Sequence, residues 1–383
     1  MTAPFPTDRP LRLLVDGHTF DTGPQGTTTF LAGLLNALPA AAKELGLPQP
    51  DIVCAGADKA MAERVLAVPF RHVAMRSGFV ARNAFDLPRL SRVLEADATI
   101  SQYVRPLRVH GHSVSVIHDV LFLDFPDLFS WRYRVLRQAL FGWSARRSDS
   151  VFTVSAYSRS RIAHWFGIDP DRIRVVPNGV EAVANAPEPP SPVPPAAPDA
   201  PVRLISVSRL EQRKRQDWCI ALAEELAGMG QRVTLDLVGS GSGPYAERIR
   251  ALVAEAAGRG IAVTLSENIP AAELHALMDR ASIALFPSRC EGFSIPIIEA
   301  SARGIPCVVA HNTAPAELRP WYAGPAFPDR DYADFAAAVR TAIGELPALR
   351  SAAAELAPAV AREFAWPRIA RAFLAGLQED MTP

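Results

Sequence analysis

Short apolar runs alternate along the chain with stretches of helical periodicity. Before residue 180, "LRLLVDG", "DIVCAG", "FRHVAM", "DATIS", "SVSVIHD", "SVFTVS" and "IRVVPNG" read as buried strands. Between the first two, "TTTFLAGLLNALPAAAKEL" carries its apolar residues at helical spacing. Past residue 201 the alternation resumes, with strands expected at "VRLISVS", "RVTLDLVG", "IAVTL", "SIALFP" and "IPCVVA". Near-continuous apolar strands separated by helices predict parallel sheets covered on both faces, and so two doubly wound α/β domains. Beyond Asp331, "DFAAAVRTAIGEL", "ALRSAAAELAPAVAREF" and "WPRIARAFLAGLQED" predict a closing series of helices.

One segment breaks the pattern. "ANAPEPPSPVPPAAPDAP", Ala184 to Pro201, is too rich in proline for a sheet or helix interior and reads as an extended spacer. It separates a domain over residues 1–183 from one over 202–363, and residues 364–383 form a final helix. A chain of 383 residues is long for one core, which agrees with two.

Composition narrows the function classes. Apolar residues make up 49% of the chain, but no run of about 18 suggests a membrane span. The first residues lack the basic and apolar blocks of a secretory signal. Cys54, Cys219, Cys290 and Cys307 have no zinc or redox spacing and read as reduced cytoplasmic thiols. With 40 basic and 40 acidic residues, no general attraction to nucleic acid is expected. Residues 1–180 hold 21 Lys and Arg against 16 Asp and Glu, a surplus of five positive charges that the remainder cancels.

Two acids stand out in "RCEGFSIPIIEASARGIPCVVA", Arg289 to Ala310, where Glu291 and Glu299 lie eight residues apart among small and apolar neighbours. "SIALFPS" before them reads as a strand, Pro296 suits a first helical turn, Gly304 a helix end, and "IPCVVA" the next strand. Such a unit implies a right-handed crossover between parallel strands, whose ligands gather at the carboxyl ends. Glu291 then sits above a strand end and Glu299 about one turn into the helix, so both can face one crevice.

Other segments offer chemistry with plainer alternatives. "VSRLEQRKRQDW" puts Arg209 and Lys214 in a loop entering a helix, a position suited to phosphate, or simply a solvated basic turn. Lysine occurs only at positions 43, 59 and 214, which makes its use here informative. In "VGSGSGPY" the glycines at 239, 241 and 243 do not form G-x-G-x-x-G, and residue 259 is Arg rather than an acid. That excludes the nicotinamide fingerprint and leaves a tight turn near an anion or a plain loop.

"DGHTFDTGPQGTTTFLAGLL" supplies Gly23, Gly26 and a threonine run at a helix start, which can approach an anion or serve as an ordinary cap. "SVSVIHDVLF" ends a strand with His118 and Asp119, where active-site groups project; a structural histidine is the alternative. His110 and His112 share a strand face with His118, but no acid or Cys completes a metal site. "DPD" at 169–171 reads as a cap. "SWRYRVLRQALFGWSARRS", Ser130 to Ser148, mixes five arginines with Trp131, Leu140, Phe141 and Trp143. It fits a domain helix with one buried face, or a helix lying on an anionic membrane.

In order, "GPQGTTTF", "VIHDVLFLDFPDLF", "FTVSAYSRSRI", "IRVVPNGV", "VSRLEQRKR", "LVGSGSG", "EGFSIPIIEA" and "FAWPRIARAFL" resemble the retaining glycosyltransferases of family 4, and within them bacterial mannosyltransferase-type members of surface polysaccharide synthesis. The resemblance implies the GT-B architecture, two Rossmann-like doubly wound domains facing an interdomain cleft, with the helix at 364–383 packing back on the first. It implies retaining, metal-independent hexosyl transfer from a nucleoside diphosphate sugar, with GDP-mannose the expected donor. The acceptor would be a glycan or lipid-linked glycan of O-antigen, capsule or exopolysaccharide synthesis. No cofactor is implied, and the location would be cytoplasmic, with peripheral membrane contact through the first domain.

Carried onto this chain, Glu291 would contact donor-sugar hydroxyls and Glu299 the ribose. Backbone N–H groups at Phe293, Ser294 and Ile295 would face the diphosphate or sugar. Arg209 and Lys214 would neutralise the leaving diphosphate, Gly26 would approach it, His118 would bind a sugar hydroxyl, and Asn268 and Ile269 would flank the base. Ser294 stands where the family usually has Gly, which bears on the sugar pocket. A same-fold nucleotide-sugar 2-epimerase and a non-catalytic nucleotide-sugar-binding protein are the competing readings.

Overall fold

The structure, a computed structural model, describes residues 4–22, 25–180 and 200–382. Residues 184–199 of the expected spacer, and Gly23, lie outside them. The chain divides into two compact units, Met1–Glu181 with Phe364–Pro383, and Ala182–Glu363.

The first unit is a parallel sheet of β1 (Arg12–Asp16), β2 (Asp51–Gly56), β3 (Arg71–Ala74), β4 (Ala98–Gln102), β5 (His112–Val116), β6 (Ser150–Thr153) and β7 (Ile173–Val175). Their spatial order is β3-β2-β1-β4-β5-β6-β7. The second unit contains β8 (Val202–Val207), β9 (Val233–Val238), β10 (Val263–Ser266), β11 (Ile283–Phe286), β12 (Cys307–Ala310) and β13 (Ala326–Phe327), in the order β10-β9-β8-β11-β12-β13. All twelve strands expected from the apolar runs are present. The two-residue β13 is the addition, too short to show any period.

The longer helices of the first unit before the spacer are α1 (Gly26–Glu44), α2 (Lys59–Val65), α3 (Leu87–Val93), α4 (Trp131–Arg147) and α5 (Ala156–Phe166). Those of the second are α6 (Gln216–Gly228), α7 (Pro244–Gly258), α8 (Ala271–Asp279), α9 (Ile295–Ala302), α10 (Tyr332–Gly344) and α11 (Leu346–Glu363). The central strands are buried on both faces: Leu13, Leu14 and Val15 in β1 and Ile283 and Leu285 in β11 are fully enclosed. This is why they read as unbroken apolar runs.

The last helix, α12 (Trp366–Met381), belongs to the first unit and packs along α1. Its Trp366 ring covers Gly33 and Gly179, where a Cβ would come within 2.1 Å and 2.5 Å of it, so any larger residue would displace the indole. Val180 N–H donates to Phe364 O at 2.8 Å where the chain returns. At the far end Asp380 accepts from Ser150 Oγ at 2.6 Å and from the Arg174 guanidinium.

In each sheet the chain reverses direction of travel once, between β1 and β4 and between β8 and β11. Neighbouring crossovers there lie on opposite faces, which opens a crevice at the carboxyl ends.

Candidate functional site

In the second unit the loops after β8 and β11 meet at that reversal. Arg289 N–H donates to Arg213 O at 2.7 Å, and Arg213 Nη1 donates to Cys290 O at 2.9 Å. The loop after β12 braces them from the other side: Thr313 Oγ1 accepts from Glu291 N–H at 3.0 Å, and Asn312 Nδ2 donates to Ser288 O and Arg289 O at 3.0 Å.

This closure brings Lys214 and Glu291 together. The Lys214 ammonium donates to Glu291 Oε1, and Arg213 Nη1 donates to Glu291 Oε2 at 2.9 Å. Both Lys214 and Glu291 are buried. Burial pushes the Glu291 carboxyl up, but the charges of Lys214 and Arg213 outweigh it and hold the group at about 2. Burial lowers Lys214, against the pull of Glu291, whereas for Arg213 the carboxylates of Glu291 and Glu211 outweigh burial and raise it. Two cations on one carboxylate keep the acid ionised.

Arg209 is placed differently. It is more than half exposed, and its Nε lies 3.2 Å from Glu211 Oε1, while Glu211 Oε2 accepts from Arg213 Nε at 2.8 Å. Three cations and two carboxylates therefore form one linked group with a net positive charge. Arg213, not singled out in the sequence, occupies the position beside Glu291. The adjacent basic residues 213–215 look alike in one dimension, and only burial separates them.

A recess beside the pair is lined by Ser206, Ser208, Lys214, Ser288, Glu291 and Ser294. Ser294 is the residue before α9 and adopts φ 83°, ψ 74°, a left-handed conformation that costs a non-glycine residue about 1 kcal/mol. Ser294→Gly is expected to raise stability by roughly 0.5–1 kcal/mol once the glycine's greater unfolded freedom is set against the relieved strain. Chemical denaturation would show it as a higher midpoint at unchanged slope.

Phe293 is buried at the same turn, Ile295 opens α9, and Glu299 lies half-buried one turn on. Asn268 is exposed at φ 55° and Ile269 half-buried in the loop after β10, two strands from β8. The glycine loop after β9 has a structural reason. A Cβ on Gly239 would meet Ser208 O at 2.1 Å, and one on Gly241 would meet Leu210 O at 2.6 Å. These glycines let the loop press against the segment carrying Arg209, and Leu210 N–H donates to Ser240 O at 3.1 Å.

The first unit holds Gly26 and His118. Gly26 is the exposed first residue of α1. His118, just beyond β5, is buried, and that burial lowers it to about 3, so the imidazole is neutral. Gln102 Nε2 donates to Thr19 Oγ1 at 2.9 Å, which leaves its Oε1 to take the His118 Nε2 proton at 2.7 Å. The ring stands edge-on to Phe30, with centroids 5.1 Å apart. His118 Nδ1 is then the acceptor nitrogen. At the end of β1 the fully buried Asp16 lies 2.9 Å from His18 Nδ1 and 3.3 Å from Arg82 Nε, a cluster that neither periodicity nor spacing revealed.

The histidines that share strand parity in the sequence lie at opposite ends of β5. His112 opens β5 at its amino end, where Nε2 contacts Ser150 Oγ at 2.7 Å, while His118 follows the carboxyl end. Among the described residues no three His, Cys, Asp or Glu side chains gather as a metal site. Asp169 caps a turn through Asp171 N–H at 2.9 Å.

Two parallel-sheet Rossmann-like units, each with polar groups at its reversal point, define the GT-B class of α/β protein. HepE from Anabaena, solved in complex with UDP and glucose, matches with a TM-score of 0.71 at 17% identity, over 96% of this chain and 100% of that one. Residues 24–184 match the profile "Glycosyltransferase Family 4" and residues 191–356 the profile "Glycosyl transferases group 1". The chain belongs to the family 4 glycosyltransferases. It is 28% identical to a glycogen synthase of Mycobacterium tuberculosis over 297 residues, 70% of this chain and 67% of that protein. It is 32% identical to the GDP-mannose-dependent alpha-(1-6)-phosphatidylinositol monomannoside mannosyltransferase of Mycolicibacterium smegmatis over 186 residues, 43% of this chain and 45% of that protein.

Proposed function

We propose that this glycosyltransferase moves a hexosyl group, with retention of anomeric configuration, from a nucleoside diphosphate sugar to a glycan or lipid-linked glycan of a surface polysaccharide. The observation that carries this reading is the net-positive group of Arg209, Arg213 and Lys214 around Glu291 at the β8/β11 reversal. The hard step is departure of the diphosphate as an oxocarbenium-like centre forms. A fixed cation buried at the recess stabilises that charge without reorganising.

Lys214 has three N–H donors, so the ammonium can hold Glu291 and still face a phosphate oxygen. Glu291, ionised and acceptor-only, suits sugar hydroxyls, and Glu299 the ribose diol. The N–H groups of Phe293, Ser294 and Ile295 at the start of α9 suit the diphosphate or the sugar. Gly26 would approach the diphosphate and His118 Nδ1 would accept from a sugar hydroxyl, while Asn268 and Ile269 flank the base. The C1–O bond to the diphosphate breaks, a bond from the acceptor oxygen to C1 forms on the same face, and the acceptor proton passes to the departing phosphate oxygen. Protein cations do the neutralising, so no metal or other cofactor is required.

GDP-mannose is the proposed donor, in keeping with the mannosyltransferase relative, and HepE's UDP makes UDP-glucose the first alternative to test. Incubation with GDP-mannose, UDP-glucose and ADP-glucose in the presence and absence of EDTA is expected to release nucleoside diphosphate from one of them regardless of chelator. Conversion at the sugar C2 without any acceptor would instead identify an epimerase, and binding without consumption a non-catalytic protein. Glu299→Ala is expected to weaken nucleotide binding by roughly 1.5–3 kcal/mol, the worth of charge-assisted hydrogen bonds. Calorimetric titration with the active nucleotide measures it, and unchanged affinity removes Glu299 from the ribose.

A further inference from the structure

The loop after β12 is built against the preference of its own backbone. Thr313 adopts φ 39°, ψ −143°, outside the left-handed well and in a region that glycine enters readily and a β-branched residue does not. Such conformations persist only where the surroundings over-determine them, and they gather at functional sites. Six non-glycine residues among those described have positive φ, and three of them, Arg215, Ser294 and Thr313, adjoin the Lys214–Glu291 pair. Arg215 and Ser294 keep left-handed angles, so Thr313 departs furthest from an allowed conformation.

What the strained position provides is a hydroxyl in one place. Thr313 Oγ1 accepts from Glu291 N–H at 3.0 Å and donates its single proton to Asn312 Oδ1 at 3.1 Å. Asn312 Nδ2 donates to Ser288 O and Arg289 O, each at 3.0 Å, which fixes the orientation of the amide. Ala314 N–H reaches Glu291 O at 3.4 Å. Residues 312–314 thus hold the main chain of the acid loop on both sides of the Glu291 Cα. Lys214 and Arg213 grip the carboxylate, but the main chain sets the direction from which the side chain enters the recess.

Glycine at position 313 would relax the backbone and lose the hydroxyl. The chain keeps the hydroxyl. A conflict between local preference and a retained side chain is expected where geometry serves a reaction rather than the fold.

We propose that Thr313 is a positioning residue for the transfer: its hydroxyl, bonded to Glu291 N–H and anchored on Asn312, aims the Glu291 carboxylate at the donor sugar. The proposal rests on the reading of Glu291 as the group that meets sugar hydroxyls.

Three substitutions separate aim from bracing. Thr313→Val keeps the branched shape but removes the acceptor. It is expected to lower kcat, for whichever of GDP-mannose, UDP-glucose and ADP-glucose is consumed, by about 10- to 100-fold, the usual effect of a small misplacement. Thr313→Ser keeps the hydroxyl and should recover most of that rate. Thr313→Gly should be as slow as Thr313→Val yet melt no lower than wild type, because relief of strain offsets the lost hydrogen bonds. Calorimetric affinity for the matching nucleoside diphosphate, which carries no sugar to meet Glu291, should stay at the wild-type value in all three.

Turnover of Thr313→Val within a few-fold of wild type overturns the proposal, as does a Thr313→Ser enzyme no faster than Thr313→Val. So does a loss of rate in Thr313→Gly matched by falls in melting temperature and nucleotide affinity, which would make the loop a brace only. A wild-type protein that consumes none of the donors ends the transferase reading and this one with it, whereas wild-type turnover beside an equally active Thr313→Val ends this proposal alone.

Discussion

Lys214→Ala is expected to lower turnover by about 10²- to 10³-fold, the usual effect of deleting one fixed charge that meets a developing anion. The structure makes this a clean substitution. Glu291 keeps its hydrogen bond from Arg213 at 2.9 Å, so the carboxylate is not left alone in the recess and the loop retains its main brace. The loss should therefore appear in kcat more than in the melting temperature. Arg209→Ala is the internal comparison, since Arg209 is more than half exposed and pairs with Glu211 rather than Glu291. Steady-state release of nucleoside diphosphate measures both. A Lys214→Ala enzyme within a few-fold of wild type would mean that the leaving charge is stabilised elsewhere.

Glu291→Ala is expected to do the opposite, striking stability as well as activity. It leaves the buried Lys214 without its carboxylate while the half-buried Arg213 keeps Glu211, and stranding that buried charge costs about 3–5 kcal/mol and, in a unit of this size, about 10 °C in melting temperature. Glu291→Gln removes the charge while keeping the shape, and pH then separates charge from packing. The folded carboxyl sits at about 2, below its ordinary 4.5, because Lys214 and Arg213 overcome the effect of burial. A depressed carboxyl contributes stability that is fully present above 4.5 and is lost as pH falls toward about 2. The gap in melting temperature between wild type and Glu291→Gln should thus be constant from neutrality to about 4.5 and narrow below it. A gap that persists unchanged at the acid end would mean that the carboxylate gains nothing from its neighbours. Other depressed acids, such as Asp97, shift both curves together and drop out of the comparison.

What could be read from the chain was what depends on near neighbours. Burial on both faces forces an unbroken apolar run on a parallel strand, so twelve of the thirteen strands among the described residues announced themselves, and Pro296 and Gly304 marked the limits of α9 through their own backbone restrictions. Strand-end placement of Glu291, Lys214 and His118 followed from the same local reasoning.

The readings left open share one cause. The five arginines and the aromatics of α4 fitted a domain helix with one buried face but left a membrane-lying helix open, because composition does not say which half of a helix meets the core. The glycines at 239 and 241 left a turn near an anion or a plain loop open, and what they accommodate is the backbone of Ser208 and Leu210, some thirty residues earlier.

Sequence by itself determined two doubly wound α/β domains and the loops from which chemistry would come, since periodicity and turn residues act within a few positions. Tertiary structure alone decided that Lys214 and Glu291, 77 residues apart, share a buried hydrogen bond, that Arg213 rather than Arg209 completes it, and that Ser294 is held left-handed beside them. Those contacts come from β8 and β11 being neighbours in the sheet, and strand order is fixed by which buried faces pack together, a property of the whole fold that no single stretch of residues carries.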